Sequence, residues 1–166
     1  MYKSLKDFQG DWAYESSSTA KVFDALTDES LGQKVDDAGR SLGFIAWHIA
    51  TTIPEMMERT GLSVSGSMPD EPVPASAAKI KEAYGKASAS LVEELNKNWS
   101  DDRLEEEDDM YGEKWKKGQT LGILISHQCH HRGQMTVLMR QAGVRVPGFY
   151  GPAREDWAAM GMEPHP

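Results

Sequence analysis

The sequence contains a single cysteine, Cys129, among 166 residues. One cysteine cannot form an intramolecular disulfide, which excludes the disulfide frameworks of small secreted domains. Long hydrophobic runs are also missing, since the most apolar stretch, LGFIAWHIA at 42–50, is far shorter than the roughly 20 residues that a membrane-spanning helix needs. The first residues, MYKSLKDFQGDW, lack the apolar core of a secretory signal. We therefore expect a cytoplasmic protein without a transmembrane segment.

Basic residues are outnumbered by acidic ones. The chain has 18 Lys and Arg against 26 Asp and Glu, which gives a formal net charge of -8. A field of this sign repels phosphate backbones and anionic membrane surfaces. The composition therefore disfavours nucleic acid and membranes as partners, and we expect a small-molecule substrate instead.

Strand-like alternation of polar and apolar residues is almost absent, whereas apolar spacings of three and four residues recur along the chain. This periodicity predicts an all-α protein, a four-helix bundle. The length suits one domain, and we assign residues 1–166 to a single helical-bundle domain. Helices are predicted at residues 4–31, 41–61, 75–98 and 119–143, with a short C-terminal helix at 153–160.

The segment between the third and fourth predicted helices carries seven acidic residues between Asp101 and Asp109. Neighbouring charges of one sign repel each other, so this run favours a solvated and extended linker. The alternative is an acidic lip that attracts a cation.

Three of the five histidines fall within ISHQCHHRGQM. On a helical wheel at about 100° per residue, the apolar stripe of the fourth helix contains His131 and borders His127, whereas His130 points elsewhere. His127 and His131 are one turn apart on the same face, where both can bind a single ion. The pair alone is weak support for a metal, because a histidine at an apolar edge is more often bonded to a backbone carbonyl.

A third histidine, His48, occupies the matching place at the border of the apolar stripe of the second helix. Three imidazoles facing an aliphatic interior would be costly as unpaired polar groups, and a shared cation satisfies all three. His48, His127 and His131 are therefore the predicted metal ligands. His165 lies near the end of the chain and is set aside.

Three nitrogen ligands leave at least one coordination position for water or substrate. An ion held in this way lowers the pKa of bound water, or stabilises a thiolate or an oxyanion. Imidazole binds Zn, Ni, Cu and Fe, and we expect Zn or Ni. No catalytic residue is singled out by the sequence.

Three neighbours of the predicted ligands have candidate roles. Glu55 projects to nearly the same side of its helix as His48 and is a candidate base, further ligand or hydrogen-bond partner, or else a surface carboxylate. Gln134 lies near His127 on the wheel and is a candidate to orient an imidazole or a water by hydrogen bonding. Cys129 falls roughly 160° from His131 and is left out of the ligand set.

The segments GFIAWHIA and HQCHHRGQMTVLMRQAG, followed by PGFYGP and EDW, resemble the DinB-like (YfiT-type) proteins over almost the whole chain. The resemblance implies a four-helix bundle with an up-up-down-down order of helices and an open site in which His48, His127 and His131 hold a divalent ion, Zn or Ni. It also implies a homodimer and, for some members, the use of a low-molecular-weight thiol. Substrate-binding residues do not follow from it.

Three functions remain open at this point. The leading hypothesis is a metal-dependent hydrolase or thiol-dependent transferase. The second is a non-catalytic metal-binding bundle, in which Glu55 or another side chain fills the open position. The third is a dimeric interaction or stress-response protein, because Trp47 is predicted on the side of the second helix opposite its apolar stripe, where it would face a partner.

Overall fold

The structure is a computed structural model, which describes residues 1–163, and His165 lies outside this range. Four long helices dominate it and confirm the all-α bundle: α1 (Leu5–Ala25), α2 (Leu42–Glu58), α3 (Ala77–Asn98) and α4 (Lys117–Gln141). A hairpin of two short strands, β1 (Glu107–Met110) and β2 (Glu113–Lys116), precedes α4. The segment 153–160 contains two short 3₁₀ turns, Arg154–Asp156 and Ala158–Met160. No helix within residues 1–163 is long and apolar enough to cross a membrane.

Hydrogen bonds from short side chains determine where the helices begin and end. Ser4 accepts a bond from the N–H of Asp7 at the start of α1, and Ser41 accepts one from Phe44 at the start of α2. Thr27 and Ser30 bond to each other's backbone N–H groups. This local exchange competes with the helical pattern, so α1 ends at Ala25 and not at residue 31 as predicted.

Cross-helix contacts fix the direction of each helix. The N–H of Tyr2 donates to the carbonyl of Gly118 at 2.9 Å, and Arg132 bonds to Glu15 further along, so α1 and α4 are parallel. Bonds between Gln9 and Asn96 and an ion pair between Asp24 and Lys81 make α3 antiparallel to α1.

The ammonium of Lys117 donates to the carbonyl of Thr60 at one end of the α2–α4 contact, and His48 meets His127 further along, so α2 is antiparallel to α4. The helix order is therefore up-down-down-up. The expected four-helix bundle is present, but the up-up-down-down order is wrong in its directions. Since α2 and α3 run the same way, the connection 59–76 must return along the bundle.

This returning connection lies in the groove of the α2–α3 pair. A Cβ atom on Gly66 would come within 3.0 Å of the Pro54 side chain and 3.1 Å of the Ala87 side chain, so any larger residue would force these side chains to move. The indole N–H of Trp47 donates to the carbonyl of Glu71 at 3.2 Å. Trp47 is only 6% exposed. The predicted partner surface at Trp47 is therefore wrong, because the protein's own chain covers it.

The acidic segment is not the extended linker that its charge favours. Asp101–Glu105 forms a 3₁₀ turn and the next acids form β1, paired in antiparallel register with β2. Basic residues of β2 neutralise the acids, through Lys116 to Glu105 at 2.5 Å and Lys114 to Asp109 at 3.6 Å. Met110 is completely buried under the turn. Opposite charges on β2 therefore reduce the repulsion within the acidic run.

Lys117 joins the hairpin to the bundle at the start of α4. Its side chain is 3% exposed and pairs with the carboxylate of Asp108 at 2.6 Å. The same ammonium lies 5.3 Å from the centre of the Trp99 ring. A buried ammonium held by a carboxylate, a carbonyl and an aromatic face fixes the hairpin relative to α2 and α3.

Replacement of Lys117 by Met is expected to lower the free energy of unfolding by about 3 kcal/mol, because it leaves the Asp108 carboxylate without its buried partner. Urea unfolding followed by circular dichroism measures the change. Lys114→Met is the matched control, since Lys114 is 64% exposed in its pair with Asp109. We expect it to change stability by less than about 0.5 kcal/mol. Equal losses in the two variants would contradict the anchoring role of Lys117.

Candidate metal centre

Three imidazole rings converge between α2 and α4. The Nε2 atom of His127 lies 3.1 Å from Nε2 of His48 and 3.1 Å from Nε2 of His131. A ligand atom from each of the three rings lies within 4.8 Å of the other two. Three nitrogens around one tetrahedral zinc ion, with Zn–N bonds of about 2.05 Å, would lie roughly 3.3 Å apart. Two of the three separations are therefore close to those of a ligand set, and the ligand atoms of His48 and His131 lie within 4.8 Å of each other.

All three histidines lie within helices, not in loops. His127 and His131 are one turn apart on α4, and antiparallel α2 presents His48 to the pair. His131 is buried, whereas His48 and His127 are partly exposed. His130 is exposed and lies outside the group. The structure therefore brings together the three histidines that the wheel selected and leaves out the one that it rejected.

Hydrogen bonds on the outer side of two rings orient them. Nδ1 of His131 lies 2.7 Å from Oε1 of Gln134. Nδ1 of His48 lies 3.5 Å from the hydroxyl of Thr52, which itself donates to the carbonyl of His48. An amide oxygen can only accept a hydrogen bond, so this contact favours the tautomer of His131 that carries its proton on Nδ1 and presents the lone pair of Nε2 to the centre. This is the tautomer that a metal ligand requires.

Burial lowers the pKa of all three imidazoles. For His48 and His127, repulsion by the neighbouring imidazoles lowers the pKa further, and the pKa of His127 falls to about 4. The rings are therefore neutral at pH 7. Neutral imidazole is the form that binds transition metals.

A cavity of about 570 Å³ opens beside His48 and His127. Thr52 and Glu55 of α2 contribute to one side, and Tyr111 and Trp115 of the hairpin contribute to the other. The volume lies within the usual range of small-molecule sites. The histidine group thus has a free side with room for a substrate.

Glu55 belongs to this cavity but not to the histidine group. One carboxylate oxygen accepts from Nε of Arg59 at 2.9 Å, and the other accepts from the hydroxyl of Tyr111 at 2.7 Å. Both oxygens therefore have partners, and the carboxylate connects α2 to the hairpin. Among the roles considered from sequence, a hydrogen-bonding neighbour of the site describes it best.

Cys129 points away from the three histidines. Its sulfur lies 3.1 Å from Glu15, on the face of α4 that packs against α1. There Arg132 and Glu15 form a buried ion pair at 2.6 Å. Burial would raise the pKa of Glu15, but hydrogen bonds from Tyr150, Cys129 and Arg132 keep it below its ordinary value. The pair holds α4 against α1 on the side opposite the cavity.

Sequence analysis missed two groups of residues that shape the site. The first is the hairpin pair Tyr111 and Trp115. The glycine of MYGEKWK, followed by alternating residues, indicated a turn and a strand, although tyrosine is an unusual residue before that glycine. The second lies behind the site, on the α1-facing side of α4. The sequence did not indicate that Arg132 pairs with Glu15, because the two residues are far apart in the chain.

Comparison with known proteins identifies the family. A model of the DinB family matches residues 1–165. The chain belongs to the DinB family. The protein YrdA of Bacillus subtilis (strain 168) is 44% identical over 163 residues, which cover 98% of each protein.

Solved DinB-like structures share the fold. A DinB-like protein from Bacillus cereus ATCC 10987 is 47% identical and superposes with a TM-score of 0.87, over 90% of this chain and 100% of the other. A second DinB-like protein, YjoA from Bacillus subtilis, is 17% identical with a TM-score of 0.67, over 86% and 97% of the two chains. At that identity the likeness to YjoA shows the DinB fold alone.

Acidification is expected to destabilise the metal-free protein. The pKa of His127 is about 4 in the folded state against an ordinary value of 6.5, so the unfolded chain binds more protons between these values. The contribution of neutral His127 to stability is complete above pH 6.5 and decreases as the pH falls towards 4. Urea unfolding at several pH values, with a chelator present, measures it.

His127→Asn is expected to reduce this dependence of stability on pH, because the variant lacks the ring that must remain uncharged. The matched control is His130→Asn, which removes an exposed histidine and should keep the wild-type dependence. If His127→Asn also kept it, the ring would not be held neutral by its surroundings.

Proposed function

We propose that this DinB-family protein binds one divalent transition-metal ion, Zn or Ni, through His48, His127 and His131, and that it acts as a metal-dependent enzyme on a small-molecule substrate. One observation carries the proposal: three imidazole rings converge beside an open cavity, with two of their Nε2–Nε2 distances at 3.1 Å. Such an ion would supply a Lewis acid that lowers the pKa of bound water or of a bound thiol.

The surroundings of the site favour a thiol-dependent transferase over a hydrolase. Hydrolysis through bound water usually needs a nearby base to take a proton. Glu55 is the only carboxylate among the residues that line the cavity, and its oxygens are occupied by Arg59 and Tyr111. A metal-bound thiol loses its proton outright and needs no such base. We therefore propose a low-molecular-weight thiol as co-substrate.

The non-catalytic alternative required a side chain such as Glu55 in the open coordination position. Glu55 lies outside the histidine group and is held towards the hairpin. This arrangement supports the enzyme over a storage or structural role for the ion. The family resemblance further leads us to propose a homodimer, for which light scattering of the purified protein gives the mass.

The purified protein is expected to contain about one transition-metal ion per chain, measured by mass spectrometry of the metals. His48→Ala, His127→Ala and His131→Ala should each lose most of it, since each removes one of three ligands. His130→Ala is the matched control on the same helix and should retain the ion. Loss of metal in His130→Ala with retention in His131→Ala would overturn the ligand assignment.

Gln134→Ala is expected to weaken metal binding by about 10- to 100-fold without abolishing it, because His131 would lose the acceptor that fixes its tautomer and orientation. Competition with a chromophoric chelator measures the affinity. Gln141→Ala, near the end of the same helix, is a control that should leave the affinity unchanged. Equal affinities of Gln134→Ala and the wild-type protein would show that the bond to His131 does not tune the site.

A further inference from the structure

The hairpin forms the wall of the cavity that faces the histidines. Tyr111 and Trp115 lie there with their ring centres 5.8 Å apart in an edge-to-face arrangement. Met56, Pro69 and Ile123 complete the apolar part of the lining. Of the polar lining residues, Thr52 lies beside His48, whereas Glu55 is paired with Tyr111 and Arg59 at the hairpin. The cavity therefore has one end suited to a metal-binding head and one suited to a flat apolar body.

Tyr111 has a left-handed backbone conformation, which is unfavourable for a residue with a bulky side chain. It has a φ of 59°, followed by Gly112 with a φ of 88°, in the two-residue turn between β1 and β2. Such turns normally use Asn or Asp followed by Gly, because a larger side chain in the left-handed region costs roughly 1–2 kcal/mol. Burial does not offset this cost, since Tyr111 is 52% exposed. A strained and exposed aromatic residue beside a cavity is typical of a functional position.

Three contacts hold the Tyr111 ring in place. Its hydroxyl donates to Glu55 at 2.7 Å, the guanidinium of Arg59 lies 4.4 Å from the ring centre, and Trp115 meets the ring edge. Arg59 in turn pairs with Glu55 at 2.9 Å. These contacts fix the ring and also neutralise the one carboxylate of the lining. The apolar end of the cavity is therefore preorganised and carries no unpaired charge.

We propose that Tyr111 and Trp115 are specificity-determining residues, which bind a flat, uncharged apolar group of the substrate or thiol while its head reaches the ion at His48, His127 and His131. The substrate class is a small amphipathic molecule with an aromatic or comparably flat body. This inference rests on the proposed metal site for where the head of the ligand binds. It rests on the geometry of the hairpin for where the flat body of the ligand binds.

The test uses the cobalt-loaded protein, whose visible spectrum reports a thiol bound to the ion. We expect 2-phenylethanethiol to bind about tenfold more tightly than ethanethiol, which corresponds to the burial of one phenyl group. Trp115→Ala should abolish most of this preference while leaving the affinity for ethanethiol unchanged. Trp157→Ala is the control of the same residue type, because Trp157 is not among the residues that line the cavity.

The variant Tyr111→Asn distinguishes a loss of ligand preference from a loss of stability. Asparagine suits the left-handed turn better than tyrosine, so the melting temperature should stay the same or rise. The preference for 2-phenylethanethiol should nevertheless fall several-fold. A phenyl preference that persists in both Tyr111→Asn and Trp115→Ala would overturn the proposal, while cobalt binding in those variants would leave the metal site standing.

A second measurement keeps the inference testable without metal. In the metal-free protein, 2-phenylethanol should shift the NMR signals of the Trp115 indole N–H and the Tyr111 amide in the wild-type chain. Shifts confined to other regions, or no shifts, would contradict the aromatic site. Failure of cobalt to bind would overturn the proposed function alone, and the NMR result would still decide the role of the hairpin.

Discussion

The contact between α2 and α4 imposes the constraint from which the rest of the site follows. It brings three imidazoles so close that charging more than one of them would place like charges side by side. Burial acts in the same direction. Both effects favour neutral rings whose ligand nitrogens converge. A group of neutral imidazoles in this arrangement is suited to a transition-metal ion.

Ion pairs on two sides of α4 support the contact between α2 and α4. Behind α4, the ion pair between Arg132 and Glu15 holds the helix against α1. In front of it, Lys117 and Asp108 place the hairpin over the end of α2. The cavity is the space that these two attachments leave between the helices and the hairpin. Its shape thus depends on directed polar bonds as well as on hydrophobic packing.

Sequence reasoning succeeded where a periodic pattern and a local physical rule agree. Helical spacing placed all four helices, the hydroxyl of Ser41 marked the start of α2, and the wheel separated His130 from His131. Each of these inferences uses residues within a few positions of one another. They required no knowledge of how the helices pack.

Sequence reasoning failed where contacts with distant parts of the chain determine the structure of a segment. The acidic run was predicted to be extended because its counter-charges, Lys114 and Lys116, lie in the next strand and are not seen in the run itself. Trp47 was predicted to face a partner because nothing in its own helix shows that residues near Glu71 return to cover it. The expected helix directions, which came from the family resemblance, were also wrong. Periodicity could not correct them, since it is identical for a helix running up or down.

The polar groups on two faces of α4 have a consequence for how the bundle resists sliding. Aliphatic ridges can slip past one another by a helical turn, about 5.4 Å, and find similar neighbours again. Arg132 resists such a slip because it bonds to Glu15 and Thr19 on α1. His131 resists it because its ring meets that of His48 on α2. A slip of one turn would separate Arg132 from Glu15 and at the same time move the imidazoles of α4 away from His48. These two sets of contacts therefore fix the axial position of α4 relative to α1 and α2.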